Sequence, residues 1–307
     1  MKPETRSFYE QSMARAVERV IADLDGALDL RALARGAALS PFHFHRVFRG
    51  LLGETPLELH RRLRMERAAF SLLHEDTPIT NIAFMAGYET HESFTRAFRA
   101  HYDCSPSEVR QRRRTGDLPC ARPFSIELAA RSGIHFRPHR SEAPVIHFIR
   151  GDEHMDVDIK ERPELRVATT THIGPYHRIS EAFARLGQTP GIHALFAQEP
   201  TMLAIYYDDP ESTPASELRS EAAVAIAADA KVPETLSERR IPAGRYACTT
   251  HVGPYDQLGD VWARFIGEWL PQSGYRMRDE VSFEIYRNTP GEVPNEQLRT
   301  ELYIPLQ

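Results

Sequence analysis

The chain has 307 residues, 41% hydrophobic and 26% charged, with a net charge of −5; at roughly 100 to 200 residues per domain this makes two or three domains, each able to bury its own core. No apolar run approaches the roughly 18 residues that cross a bilayer, and MKPETRSFYEQ lacks a secretory core, so a cytoplasmic protein with no membrane partner is expected. Cys104, Cys120 and Cys248 show no CxxC spacing, so neither a disulfide framework nor a metal site is expected.

The first 115 residues are helical in period. Met13, Val17, Val20 and Leu24 form the stripe of a first helix, and Asp29 caps a second, LRALARGAAL. Ser40-Pro41 restarts the chain as FHFHRVFRGLL, because Ser caps and Pro fits the first helical position. Thr55-Pro56 opens a longer helix carrying Leu57, Leu59, Leu63, Ala68 and Leu72 to His74. The pattern then recurs: Pro78-Ile79 opens ITNIAFMA, Gly87 supplies a turn, Thr90 caps HESFTRAFRAHY, and Ser105-Pro106 begins a basic helix.

Short helix, tight turn and second helix is a DNA-reading unit, and it occurs twice. A spacer helix of about 20 residues spans about 30 Å, so two recognition helices would reach successive major grooves. Charge agrees: 18 Lys+Arg stand against 15 Asp+Glu up to Gly116, and 20 against 28 beyond it, so +3 is followed by −8. The basic runs HRRLRMER (60–67) and RQRRR (110–114) suit a polyanion or a solvated helix face.

GETPLELHRRLRMERAAFSLL followed by IAFMAGYETHESFTRAFRAHYDCSPSEVR resembles the signature of AraC/XylS-type transcription regulators, over about 105 residues. The resemblance implies base contacts from Phe42, His45, Arg46 and Arg49 in the first unit and from His91, Glu92, Thr95, Arg96 and Arg99 in the second. Their chemistry fits: Arg bonds guanine bidentately, an aromatic ring or Thr methyl meets thymine, and His or Glu discriminates base edges. Contact with phosphate rather than base is the lesser alternative for Arg46 and Arg96. Phe44, Val47, Phe48, Phe94, Phe98, Ile82 and Tyr88 read as core, and His43 and His45, two apart on a helix, make a poor metal pair. Ala38 stands in the turn where the family usually has Gly, which costs roughly 1 kcal/mol if φ is positive there.

Residues 117–153, broken by Pro119, Pro123, Pro138 and Pro144, read as a linker or arm in which the alternation of FSIELAARSGIHFRP gives transient or docked strand structure. Beyond it the chain repeats itself: TTHIGPY at 170–176 returns as TTHVGPY at 249–255. Each copy runs from a strand into an amphipathic helix, carrying Ile179, Phe183 and Leu186 or Leu258, Trp262, Phe265 and Trp269. Two strands follow, LAIYYDDP (203–210) matching FEIYRNTP (283–290) and RSEAAVAI (219–226) matching RTELYIPL (299–306). The fold class expected is therefore multidomain: an all-α N-terminal domain (1–116) with two helix-turn-helix units, and an α+β C-terminal domain (154–307) built from a duplicated β-α-β-β unit with pseudo-twofold symmetry.

A groove between the copies is the expected ligand site, and the copies differ where it would lie. Ala204 becomes Glu284, Ala222 becomes Leu302 and Ala223 becomes Tyr303. Glu284, Tyr286, Glu301 and Tyr303 are expected on one sheet face if the strands pair in simple antiparallel register, giving carboxylates and rings that suit a cationic or amphipathic organic molecule. Tyr176 and Tyr255 read as core or pocket rim, Trp262 as core or pocket wall, and His172 and His251 as turn-stabilising residues. HIGPY/HVGPY, FEIYRNTP and TELYIPL resemble GyrI-like small-molecule-binding domains, over about 150 residues. In that family a glutamate near the C-terminal strands holds the ligand; here it is Glu284 or Glu301, with Glu284 first because Glu301 has a counterpart in Glu221.

The resemblances imply a non-enzymatic regulator with three partners: double-stranded DNA, a small-molecule effector and RNA polymerase. No cofactor is expected. The alternatives are a GyrI-like hydrolase, for which no nucleophile–base set has diagnostic spacing, and a protein-inhibitor module.

Overall fold

The computed structural model describes residues 3–115, 124–138, 144–149, 155–196, 200–208, 210 and 213–307. Cys120 and the expected boundaries at 116/117 and 153/154 lie outside the described residues. The chain forms two compact units: Glu10–Ala37 with Leu51–Ile149, and Met1–Tyr9 with Ala38–Gly50 and Arg150–Gln307.

Seven helices occupy the first part: α1 (Pro3–Ala22), α2 (Leu30–Gly36), α3 (Pro41–Leu52), α4 (Pro56–His74), α5 (Ile79–Met85), α6 (His91–Tyr102) and α7 (Pro106–Thr115). They begin where the caps place them. Asp29 accepts from Ala32 N, Thr55 and Glu58 exchange bonds in a capping box ahead of Pro56, and Thr90 accepts from Ser93 N. Met65, Ala68 and Leu72 of α4, Ile82 and Ala83 of α5, Phe94 and Phe98 of α6, and Val109 of α7 form one buried core.

The described part of the connector docks without forming a strand. Leu128 N, Phe136 N, Arg62 Nη1 and the His135 ring all reach the fully buried carboxylate of Glu66 on α4, at 2.8 to 3.0 Å. Arg62 also donates to Ile134 O, and Tyr102 Oη to Ile126 O.

Gly87 and Ala38 occupy the turns of the two helix-turn-helix segments, and both take positive φ, 86° and 55°. For Ala38 this is the left-handed strain expected above. Its side chain is exposed, so Ala38→Gly removes strain and sacrifices no buried contact. The variant is expected to gain about 1 kcal/mol of stability, seen as a higher urea midpoint in far-UV circular dichroism; an unmoved midpoint would refute strain at this turn.

The second unit is built on an eight-stranded antiparallel sheet in the order β1-β6-β8-β7-β3-β4-β2-β5. Its strands are β1 (Asp158–Arg162), β2 (Leu165–Ile173), β3 (Met202–Tyr206), β4 (Arg219–Ala225), β5 (Ser237–Ile241), β6 (Gly244–Val252), β7 (Ser282–Tyr286) and β8 (Arg299–Pro305). Each copy of the repeat contributes strand, helix, strand, strand: β2, α8 (Ser180–Gly187), β3 and β4, then β6, α9 (Leu258–Arg264), β7 and β8. β3 and β7 join the halves, with Ala204 opposite Glu284.

Two strands were not expected. β1 and β5 (DIKER and SERRI) precede the two copies, yet each pairs with the other copy's first strand, β1 with β6 and β5 with β2. Both are short, charged edge strands, the composition that discourages edge-to-edge association and also hides a strand from apolar periodicity.

The repeated heptapeptide forms the same turn twice. His172 and His251 each set Nε2 3.1 Å from the carbonyl oxygen of the following Pro175 or Pro254, so that nitrogen carries the proton. Gly174 and Gly253, at φ 135° and 147°, occupy backbone that only glycine enters freely. After α9 the helix widens into a π turn (Phe265–Trp269) and closes with α10 (Leu270–Ser273). Pro271 lies four residues after Gly267 and cannot donate to its carbonyl, which accounts for the loosened turn.

Candidate functional site

Helix α6 presents the proposed base-reading residues outward. His91, Glu92, Arg96 and Arg99 are exposed and Thr95 is half-buried, while Phe94 and Phe98 turn into the core. Helix α3 differs. Phe42 and His45 are 3% exposed, Arg46 is half-buried and only Arg49 among its four proposed contacts is open.

The sheet unit centres on Glu284, whose residue is 1% exposed. β7 carries it on the same face as Tyr286, and the β3–β7 register brings Ala204 and Tyr206 to that face. Three neutral donors converge on its carboxylate: Trp262 Nε1 at 2.6 Å, Tyr286 Oη at 2.7 Å and Tyr206 Oη at 3.0 Å. Burial pushes its pKa up; the bonds from Tyr286, Trp262 and Tyr206, and more weakly the Arg46 charge, pull the other way. The two phenols are held well above their ordinary value by burial and by Glu284, so they remain donors.

Further rings pack against the two phenols. Tyr176 lies 4.7 Å from Tyr206, Tyr255 5.2 Å and Phe183 5.6 Å from Tyr286, centroid to centroid. Tyr176 and Tyr255 are anchored by their hydroxyls to the carbonyls of Asp208 and Asn288. Trp262 is buried, with its indole committed to Glu284.

The expected grouping of four residues on one face requires correction. Cross-strand partners share a face, and β7–β8 pairs Glu284 with Leu302, Ile285 with Glu301 and Phe283 with Tyr303. Glu301 and Tyr303 therefore lie on the opposite face from Glu284 and Tyr286. Tyr303 stacks on Phe283 at 4.9 Å, and Glu301 takes Arg287 at 2.8 Å and Tyr303 Oη at 2.5 Å. Glu221 is held in the same manner by Arg239. Tyr206 was overlooked by sequence reasoning, although it stands at the repeat position of Tyr286. The two copies thus supply paired tyrosines to a single glutamate; a second carboxylate at Ala204 would put like charges directly opposite each other. Phe183, the repeat counterpart of Trp262, was legible in the same way.

Among the described residues no cluster of three metal-ligating side chains occurs, and no helix is long and apolar enough to cross a membrane.

Residues 155–307 match the GyrI-like small molecule binding domain, and residues 33–112 match a helix-turn-helix domain. A DNA gyrase inhibitor of Erwinia billingiae is 32% identical over 157 residues, covering 50% of this chain and 97% of that protein. The regulatory protein SoxS of Salmonella typhimurium is 30% identical over 104 residues, 34% of this chain and 97% of that one. The crystal structure of the EcmrR C-terminal domain shares 20% identity and a TM-score of 0.44, over 50% of this chain and 98% of that one. Two such relatives, each matched almost end to end by a different part of the sequence, show that the chain belongs to the GyrI-like small-molecule-binding family and carries an AraC-type helix-turn-helix domain ahead of that module.

Proposed function

We infer that the protein is a sequence-specific transcription regulator whose activity is set by a small organic cation bound at Glu284. The observation that carries this reading is a buried carboxylate satisfied only by neutral donors, two of them phenols packed against further aromatic rings. Three neutral hydrogen bonds hold the carboxylate without cancelling its charge, so an entering cation gains Coulomb attraction in a dry setting together with cation–π contact. Its immediate partners, an indole and two phenols, donate and hold; the site binds without turnover. Regulation then acts through DNA, with RNA polymerase as the further partner.

On the DNA side the exposed face of α6 is the primary reader. Arg96→Ala is expected to weaken binding to a selected operator by about 1 to 3 kcal/mol, roughly 5- to 150-fold, with lost discrimination at one base position. Equal weakening on all sequences, with a salt slope lower by about 1, would assign Arg96 to phosphate instead. Unchanged affinity would remove α6 from the interface.

The kinship with DNA gyrase inhibitors supports a second reading, in which the module inhibits a DNA-processing enzyme. Inhibition of gyrase supercoiling by this chain, without any response to hydrophobic cations, would favour it.

A further inference from the structure

We propose that helix α3 is the resident occupant of the entrance to the Glu284 site, and that a cationic aromatic effector acts by displacing it. Residues 38–50 belong to the same compact unit as the sheet. Within that unit Phe42, Arg46 and Gly50 fall four apart on one stripe of α3, with His43 beside them, and all four meet α9, the π turn or β7. The Phe42 ring lies edge-on to Trp262, 6.0 Å between centroids, and Trp262 is the donor closest to Glu284. His43 Nε2 bonds Ser282 Oγ at 2.9 Å, two residues before Glu284 on the same strand face. Arg46 holds its guanidinium 4.7 Å over the Phe42 ring and donates to Gly259 O at 3.3 Å.

The clasp is closed by backbone. A Cβ placed on Gly50 would sit 2.2 Å from Gly267 O, and one on Gly267 would sit 2.8 Å from Arg46 O. Only glycine on both sides permits this approach, and Gly267 lies in the π turn. α3 therefore brings a ring and a positive charge, the chemistry inferred above for the effector, to that effector's own entrance. Two occupants of one chemistry cannot share it. In the docked state Phe42 and His45 are buried, so the first helix-turn-helix cannot offer them to bases. An effector that takes the place of Phe42 and Arg46 frees α3 to join α6 on the duplex, and ligand and DNA then favour the same released state.

This inference rests on reading Glu284 as the effector site, and the test separates the two. Tetraphenylphosphonium serves as the probe, with the full-length protein, Gly267→Val and Glu284→Gln compared. Gly267→Val, whose Cβ would first meet the α3 backbone at Arg46 O and Gly50 Cα, is expected to bind the probe at least tenfold more tightly than the unaltered protein. Its operator affinity without probe should equal that of the unaltered protein at saturation. Hydrogen exchange of the α3 amides in the unaltered protein should quicken when probe is added, a readout that needs no variant. If the probe binds in a Glu284-dependent manner while α3 protection and the Gly267→Val affinity stay unchanged, the displacement is wrong and the effector site stands. If the probe binds none of the three proteins, both fall.

Discussion

Glu284→Gln is expected to lower affinity for a hydrophobic cation by roughly thirtyfold, about 2 kcal/mol, the worth of one desolvated charge contact. The fold should survive. The amide oxygen keeps the Trp262 bond, and the Tyr206 and Tyr286 hydroxyls can rotate to accept from the amide nitrogen. Acidity should act in the same direction as the mutation. The cation prefers the carboxylate, so affinity is constant above the raised pKa of Glu284 and falls as pH drops below it. Stability moves the other way. Between the ordinary carboxylate value and the raised one, the folded protein holds a proton that the unfolded chain has released. Stability therefore declines as pH rises through that window, and the Gln variant should lack the slope. Trp262 fluorescence, isothermal titration and denaturation at several pH values would check all three. A cation affinity unchanged in the variant would remove Glu284 from the site.

Glu66→Ala should be the most damaging single change in the helical unit, at about 3 to 5 kcal/mol. The carboxylate is wholly buried and serves Arg62, the His135 ring and the N–H groups of Leu128 and Phe136. Alanine leaves a buried guanidinium with Glu54 as its remaining carboxylate and strands two backbone donors. The arm over 124–138 loses its principal anchor on α4, so proteolysis there should accelerate. Far-UV circular dichroism in urea reports this loss. Tryptophan fluorescence should be nearly silent, because both tryptophans, Trp262 and Trp269, belong to the sheet unit. A loss below 1 kcal/mol would show that the connector is held by other means.

The sequence by itself determined what local chemistry controls. Asp29, Thr55, Thr90 and the Ser-Pro pairs fixed helix starts because a cap bonds backbone only two or three residues away. The repeat located matched elements because duplicated segments keep their spacing, and it ranked Glu284 first because Glu301 has a counterpart in Glu221, whereas Glu284 replaces Ala204. Tyr206 was equally legible, by the same offset of 80 from Tyr286.

Tertiary structure decided what depends on partners distant in the chain. The faces of Glu301 and Tyr303 hang on a one-residue question of β7–β8 register, set by a turn whose path the intervening residues do not announce. The edge strands β1 and β5 exist because the opposite copy's first strand pairs with them, and their own charged residues carry no apolar alternation. Helix α3 looks like any amphipathic reader from its sequence. Its polar side is covered by Trp262, Ser282 and Gly267, more than 200 residues further along, and burial is a property of whatever arrives to cover a side chain.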